Sequence, residues 1–133
     1  MILLDSSFII AYLNEADENH AEAIRMAKDV DGGKYGPPII TDYIFDEVIT
    51  VMLFKTKKLR KVAEAGEMLL RANRLLTIDQ DTFQLAWEIF KEQKRATFSF
   101  TDCTSIAVCR EKGISNVATF DQELKRLDEL IAI

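Results

Sequence analysis

Histidine is almost missing from this chain: His20 is the only one in 133 residues, and it falls in a polar stretch where a surface position is expected. Catalytic triads built on histidine, and histidine-rich metal sites, therefore have nothing to stand on. Cysteine is scarce as well. Cys103 and Cys109 lie six apart on one predicted helix, and at ~100° per residue they face different ways, too far apart to bond. Neither forms a Cys-x-x-Cys pair, which argues against zinc, and both read as small buried thiols in a reducing compartment. No apolar run approaches the ~20 residues that a membrane span needs, and no membrane association is expected. Neither a basic leader nor a cleavage site precedes the first strand-like segment, so the cytoplasm is the expected location. Positive charge is in deficit too: the net charge is −5. A nucleic-acid binder of this composition would need a local basic patch. One is present, since Lys55, Lys57, Lys58, Arg60 and Lys61 fall within seven positions. Taken alone, the patch reads as a solvated connector; beside a nuclease site it would be a candidate for phosphate contacts.

What is abundant is alternation. At 48% hydrophobic and 29% charged, the chain is large enough for one real core, and it reads as a single domain over 1–133. Short apolar runs at 2–4, 39–40, 75–78 and 117–120 read as strands, with 130–133 as an edge strand. Helical patterns fall at 6–13, 20–30, 42–55, 59–73, 80–94, 102–112 and 122–127. Asp31 to Pro38 is the strongest loop signal, and Gly113 is a good helix stop. Strands alternating with helices predict an α/β fold: a short-stranded parallel sheet in a three-layer sandwich with helices on both faces.

Four acids stand where those elements begin or end. Asp5 ends Ile2-Leu3-Leu4, Asp121 ends Val117-Ala118-Thr119-Phe120, Asp102 opens a helix, and Glu47 lies early in another. Parallel strands share one carboxyl edge, which is where open α/β sheets build their sites. Carboxylates gathered there repel one another unless a cation holds them, and hard oxygen ligands select Mg²⁺ or Mn²⁺. Each acid also has an ordinary reading as a helix cap. Asp79 follows its strand just as Asp5 does and is read as a cap, whereas Ser6 or Ser7 can cap the first helix and free Asp5. Asp102 lies on the inward stripe of its helix but can also form a capping box with Ser99. On the helical wheel, Glu47 and Asp46 sit at opposite margins of the apolar stripe, and geometry does not choose between them.

These segments together resemble the PIN-domain nucleases, and most closely the small VapC-like ribonuclease toxins. The matching pieces are Ile2-Leu3-Leu4-Asp5-Ser6-Ser7, Asp46-Glu47-Val48, Phe100-Thr101-Asp102-Cys103-Thr104-Ser105-Ile106-Ala107 and Val117-Ala118-Thr119-Phe120-Asp121, in order across the whole chain. The resemblance implies a PIN-like fold and an acidic quartet of Asp5, Glu47, Asp102 and Asp121 that binds Mg²⁺ or Mn²⁺; it is the resemblance that selects Glu47 over Asp46. It implies Ser6, Thr101 and Thr119 as hydroxyls orienting those ligands. Ser7 departs from the pattern, standing where the family often has Asn. The implied activity is endoribonuclease hydrolysis of RNA phosphodiesters through a metal-activated water. The implied partners are an antitoxin protein and a second copy in a homodimer, with Phe8, Tyr12, Met52, Leu53 and Phe54 as candidate contacts. A housekeeping RNA-processing nuclease, or a PIN domain that binds RNA without cutting, is the alternative. A receiver domain would want an acidic pair after the first strand and a Lys after the fifth, and a haloacid-type phosphatase would want Asp-x-Asp; Asp5-Ser6-Ser7 supplies neither.

Overall fold

A computed structural model describes all of residues 1–133. Five strands, β1 (Ile2–Leu4), β2 (Pro38–Thr41), β3 (Arg74–Leu76), β4 (Asn116–Ala118) and β5 (Ile131–Ala132), form one sheet in the order β3-β2-β1-β4-β5. Every neighbouring pair is parallel, with Leu3 opposite Ile39 on one side and Val117 on the other. Seven helices accompany them: α1 (Ser6–Leu13), α2 (His20–Asp31), α3 (Asp42–Thr56), α4 (Leu59–Ala72), α5 (Gln80–Lys91), α6 (Phe100–Lys112) and α7 (Gln122–Lys125). None is long and apolar enough to cross a membrane. The expected α/β sandwich is therefore found; β1 has its expected bounds, β2 is longer than its apolar pair suggests, and β3, β4 and β5 are shorter than their patterns suggest.

The central strands carry the core. Ile2, Leu3, Ile39, Ile40 and Val117 are buried, as strands covered on both faces must be. Ile44 and Val48 of α3 and Ile106 of α6 close over them. The loop before β2 passes so near the chain start that a Cβ at Gly36, where φ is +82°, would lie 2.9 Å from the Met1 nitrogen. Gly113, at φ +67°, ends α6 as expected.

Several boundaries differ from the sequence pattern. Thr77-Ile78 and Thr119-Phe120 run past their pairing partners. The Ile78 amide instead donates to Asp42 Oδ1 at 3.0 Å, and Phe120 stacks on Phe8 with centroids 6.4 Å apart. Helix α6 starts two residues earlier than expected because Ser99 is its cap. Helices α5 and α7 stop at Lys91 and Lys125, short of the expected ends. His20 is half-buried rather than a surface group: its Nδ1 lies 2.8 Å from the Ala11 carbonyl, so Nδ1 carries the proton and ties α2 to α1. Cys103 and Cys109 are buried free thiols, and burial pushes them up to about 11 and about 12 respectively.

Candidate active site

The strand order reverses at β1, from which the chain builds outward to β3 on one side and to β5 on the other. Open parallel sheets form their clefts outside the carboxyl ends of the strands at such a reversal. Asp5 leaves β1 there, its amide donating to the Ala118 carbonyl at 3.0 Å, and Thr119, Phe120 and Asp121 leave β4 beside it.

A hydroxyl network joins the two strand ends. Asp5 is 3% exposed, and its Oδ2 accepts from Ser7 Oγ at 2.6 Å and from Thr119 Oγ1 at 2.8 Å. Thr119 Oγ1 in turn accepts from the Asp121 amide at 2.9 Å, and Ser7 Oγ accepts from the Phe120 amide at 2.9 Å. The geometric hydrogen bonds thus fall on one carboxylate oxygen of Asp5 and leave the other turned to different work. Burial still raises the Asp5 pKa above the ordinary carboxylate value, with the Ser7 and Thr119 hydroxyls offsetting part of the rise.

Glu47 lies in the second turn of α3. Burial raises its pKa first; the adjacent Ser6 hydroxyl pulls it back, and Asp102, Asp5 and Asp46 push it up again. Ser6 stands near without a sound hydrogen bond, and Glu47 Oε2 is buried with no partner at all. Asp46, the other candidate on the wheel, is exposed. Asp102 does form the capping box: Ser99 N donates to its Oδ2 at 2.9 Å, and its own amide donates to Ser99 Oγ at 3.1 Å. Even so, burial raises its pKa, and after the Ser99 amide's opposing effect come the charges of Asp5 and, further down, Asp121. Asp121 caps α7 through Oδ1, which accepts from the Glu123 amide at 2.8 Å. The four acids therefore share one electrostatic neighbourhood, although they come from four separate segments.

Capping and site membership, alternatives in the sequence, are combined in the same residues. Asp5, Asp102 and Asp121 each commit one oxygen to a helix start and keep the other. Asp79, which pattern could not separate from Asp5, is told apart by surroundings. It is exposed, it caps α5 by accepting from the Thr82 amide at 2.8 Å, and that hydrogen bond lowers its pKa.

Two of the expected orienting hydroxyls are placed differently from Thr119. The Ser6 hydroxyl lies beside Glu47 rather than bonding Asp5, and the Thr101 side chain makes no hydrogen bond to an acid; its carbonyl accepts from Thr104 Oγ1, at 2.6 Å. Ser7 was the residue missed. Its place two positions after Asp5 is a visible turn signal, but nothing local shows that Thr119 and Phe120, more than a hundred residues on, come to meet it. Aromatic packing brings α6 to α3: the Phe100 ring sits edge-on to Tyr43 at 5.9 Å and to Phe83 at 5.1 Å, which sets the first turn of α6, with Asp102, against the first turns of α3, with Glu47.

The donor set suits a hard divalent cation. All four groups are carboxylates, Glu47 Oε2 is an orphaned buried acceptor, and three pKa values are raised in the way an uncompensated cluster requires. As the side chains stand, no three of them converge at ligand distance on one point. Two pockets lie elsewhere. One of about 200 Å³ is lined mainly by apolar residues of α1, α2 and α4, and one of about 270 Å³ lies around Phe90, Lys94 and Arg95.

A parallel sheet whose order reverses at β1, with Asp5 and Asp121 leaving the carboxyl ends of β1 and β4, is the setting in which open α/β folds build their sites, and comparison with known proteins shows the family. Residues 2–130 match the PIN domain, and the chain belongs to that family. It is 31% identical over 123 residues to the 23S rRNA-specific endonuclease VapC20 of Mycobacterium tuberculosis, covering 91% of this chain and 89% of that protein. The VapC ribonuclease of Archaeoglobus fulgidus is 25% identical over 114 residues, 82% of this chain and 70% of that one. Among solved structures, M. tuberculosis VapC20, described as a sarcin-ricin loop cleaving toxin, superposes with a TM-score of 0.83 at 27% identity over 98% of both chains. VapBC2 of Rickettsia felis, solved bound to a promoter DNA fragment, gives 0.72 at 16% identity over 100% and 98% and shares the fold.

Proposed function

We propose that this chain is a Mg²⁺- or Mn²⁺-dependent endoribonuclease and the toxin of a toxin–antitoxin pair, with Asp5, Glu47, Asp102 and Asp121 as its working acids. The observation that carries the reading is the buried carboxylate of Asp5 held between two strand ends, with two further carboxylates, Glu47 and Asp102, within its field and Asp121 tied to it through Thr119. Asp5 and Asp102 are the main ligands, each offering the oxygen its helix does not use. When bound, the cation lowers the pKa of a coordinated water and neutralises charge on the phosphoryl oxygens. Glu47 has a buried acceptor without a donor and a raised pKa, so it is the group placed to hold the attacking water and take its proton. Asp121 completes the acidic rim, its amide held by the hydroxyl that holds Asp5. Ser7 and Thr119 fix the Asp5 carboxylate so that no rotamer must be frozen during the reaction.

Similarity to VapC toxins supports an antitoxin partner, and the apolar pocket among α1, α2 and α4 offers a seat for its apolar side chains. For a homodimer, the candidate contacts need revision. Phe8 and Met52 are buried in the core, and Tyr12 is half-buried, while Leu53 and Phe54 reach the surface. Phe83, Trp87 and Phe90 form a more continuous exposed stripe on α5, and this is the face we assign to a second copy.

The test is cleavage of mixed RNAs, 23S rRNA included, with and without Mg²⁺ or Mn²⁺. Cleavage that needs the ion and vanishes in Asp102→Asn supports the reading; cleavage surviving in Asp102→Asn refutes the assigned role. Growth arrest on induction, relieved by a co-expressed partner, distinguishes a toxin from a processing enzyme.

A further inference from the structure

The basic segment at the junction of α3 and α4 takes no part in the acidic site or in the core. Lys55, Lys57, Lys58, Arg60 and Lys61 are all exposed, and none makes an ion pair. Of the other twelve cations, five (Arg25, Lys34, Lys91, Arg110 and Arg126) find a carboxylate, whereas none of the five in this cluster does. A chain of net charge −5 has acids to spare, yet Glu64 and Glu67 of α4 leave this cluster unpaired. Stability does not ask for the arrangement either. Arg60 and Lys61 occupy the first turn of α4, where a helix favours acids and where this one has none.

Two large apolar side chains stand among the cations. Phe54 and Leu59 are each 70% exposed, the most exposed of the chain's large hydrophobics. Lys57, the only non-glycine residue with a positive φ, at 58°, turns the chain between the helices and sets its Nζ over the Phe54 ring, 4.7 Å from the centroid. Cations with an exposed aromatic ring form the combination that tracks a single strand, phosphates on the charges and a base on the ring.

We propose that this junction holds the RNA strand several nucleotides from the scissile bond, its cations on successive phosphates and Phe54 beneath an unpaired base. This rests on the ribonuclease reading above and assigns part of its substrate grip. Helix α3 runs on from Glu47 to Thr56, with Lys57 just beyond its end, a rise of about 15 Å. A stacked strand advances about 3.4 Å per nucleotide, so roughly four nucleotides bridge the acids and the patch. The acids take the cation-bridged phosphate; the patch supplies the positive charge that the acidic site lacks.

The experiment compares the full-length protein with the combined variant Lys55→Gln, Lys58→Gln, Arg60→Gln, Lys61→Gln, and separately with Phe54→Ser. Lys57 is kept for its backbone conformation, and circular dichroism checks each fold. Binding of a labelled, unstructured 25-nucleotide RNA is measured by anisotropy in EDTA across a salt series. Cleavage of that RNA and of a five-nucleotide RNA with the same cut site is measured with Mn²⁺. The proposal expects the fourfold variant to bind the long RNA at least tenfold more weakly at low salt, its salt slope smaller by about 3. Cleavage of the long RNA should fall in parallel, with the short RNA cleaved within twofold of wild type, and Phe54→Ser should weaken long-RNA binding severalfold. Unchanged binding of the long RNA, or equal losses on long and short RNA, overturns the proposal. So does a change of oligomeric state in sedimentation with RNA binding intact, since the surface would then meet a second copy. Wild type that binds the long RNA through these residues but cleaves neither RNA leaves the patch standing and removes the ribonuclease reading.

Discussion

Replacing Thr119 with valine keeps the shape of a side chain that is 1% exposed and deletes one hydroxyl. That hydroxyl donates to Asp5 Oδ2 at 2.8 Å and accepts from the Asp121 amide at 2.9 Å, so two buried or half-buried polar groups lose a partner at once. A hydrogen bond to a charged group contributes about 1.5–3 kcal/mol, and a buried amide left without an acceptor costs about 1–3 kcal/mol. Ser7 Oγ still holds Asp5, and water reaches the half-buried Asp121, so the lower half of the combined range applies: a loss of about 2.5–4 kcal/mol. At roughly 4 °C per kcal/mol for a domain of this size, Tm should fall by about 10–16 °C. Thr119→Ser keeps the hydroxyl and loses only a methyl, at about 1 kcal/mol. Urea and thermal unfolding of the three proteins in EDTA, followed by circular dichroism, would read these differences. RNA cleavage should fall far more in Thr119→Val than in Thr119→Ser, because the carboxylate loses its orientation. Valine within about 0.5 kcal/mol of wild type, or serine as damaging as valine, would refute the bridging role.

Asp5→Asn should stabilise the metal-free protein at neutral pH. The folded state raises the Asp5 pKa above 3.8, so it binds that proton more tightly than the unfolded chain does, and wild-type stability should climb relative to Asp5→Asn as pH falls through the raised value, levelling below 3.8. Urea midpoints of the pair between pH 8 and pH 4 in EDTA check this; a gap that widens on acidification contradicts it. Glu47→Gln should abolish cleavage and Asp46→Asn should leave it within about threefold, since only Glu47 has a buried acceptor oxygen there; equal effects in the RNA assay would show that the wrong acid was assigned. Asp79→Asn should keep both cleavage and stability, because Asn caps a helix nearly as well. Native Cys103 and Cys109, pushed up to about 11 and about 12, should resist alkylation at pH 8 and react quickly in urea, as mass spectrometry would show.

Much of the architecture was legible because β1, β2 and β4 are buried on both sides and so carry short apolar runs, Ile2-Leu3-Leu4, Ile39-Ile40 and Val117-Ala118. The strand ends were not. Ile78 and Phe120 are apolar for reasons outside the ladder, one packing on the core and the other against Phe8, and pattern counts both as strand. Among the acids, sequence offered cap or ligand, whereas a carboxylate has two oxygens and Asp102 gives one to Ser99 while the charges of Asp5 and Asp121 still reach it. Pattern alone left Glu47 and Asp46 equal; burial distinguishes them, and burial depends on how α6 crosses α3 through Phe100 and Tyr43. Ser7 reads locally as a turn residue and acquires its second role only when β4 arrives beside β1. Such meetings across more than a hundred residues are set by topology, which no local window contains.

The proposed function requires these carboxylates to form one seat for a divalent ion. Mn²⁺ titration followed by electron paramagnetic resonance, in which bound ion loses its free signal, tests it without reference to any RNA. Saturable binding by wild type and by Asp79→Asn, with binding lost or at least tenfold weaker in Asp5→Asn and Asp102→Asn, is the predicted result. Equal Mn²⁺ binding by all four proteins, or none by wild type, would contradict it.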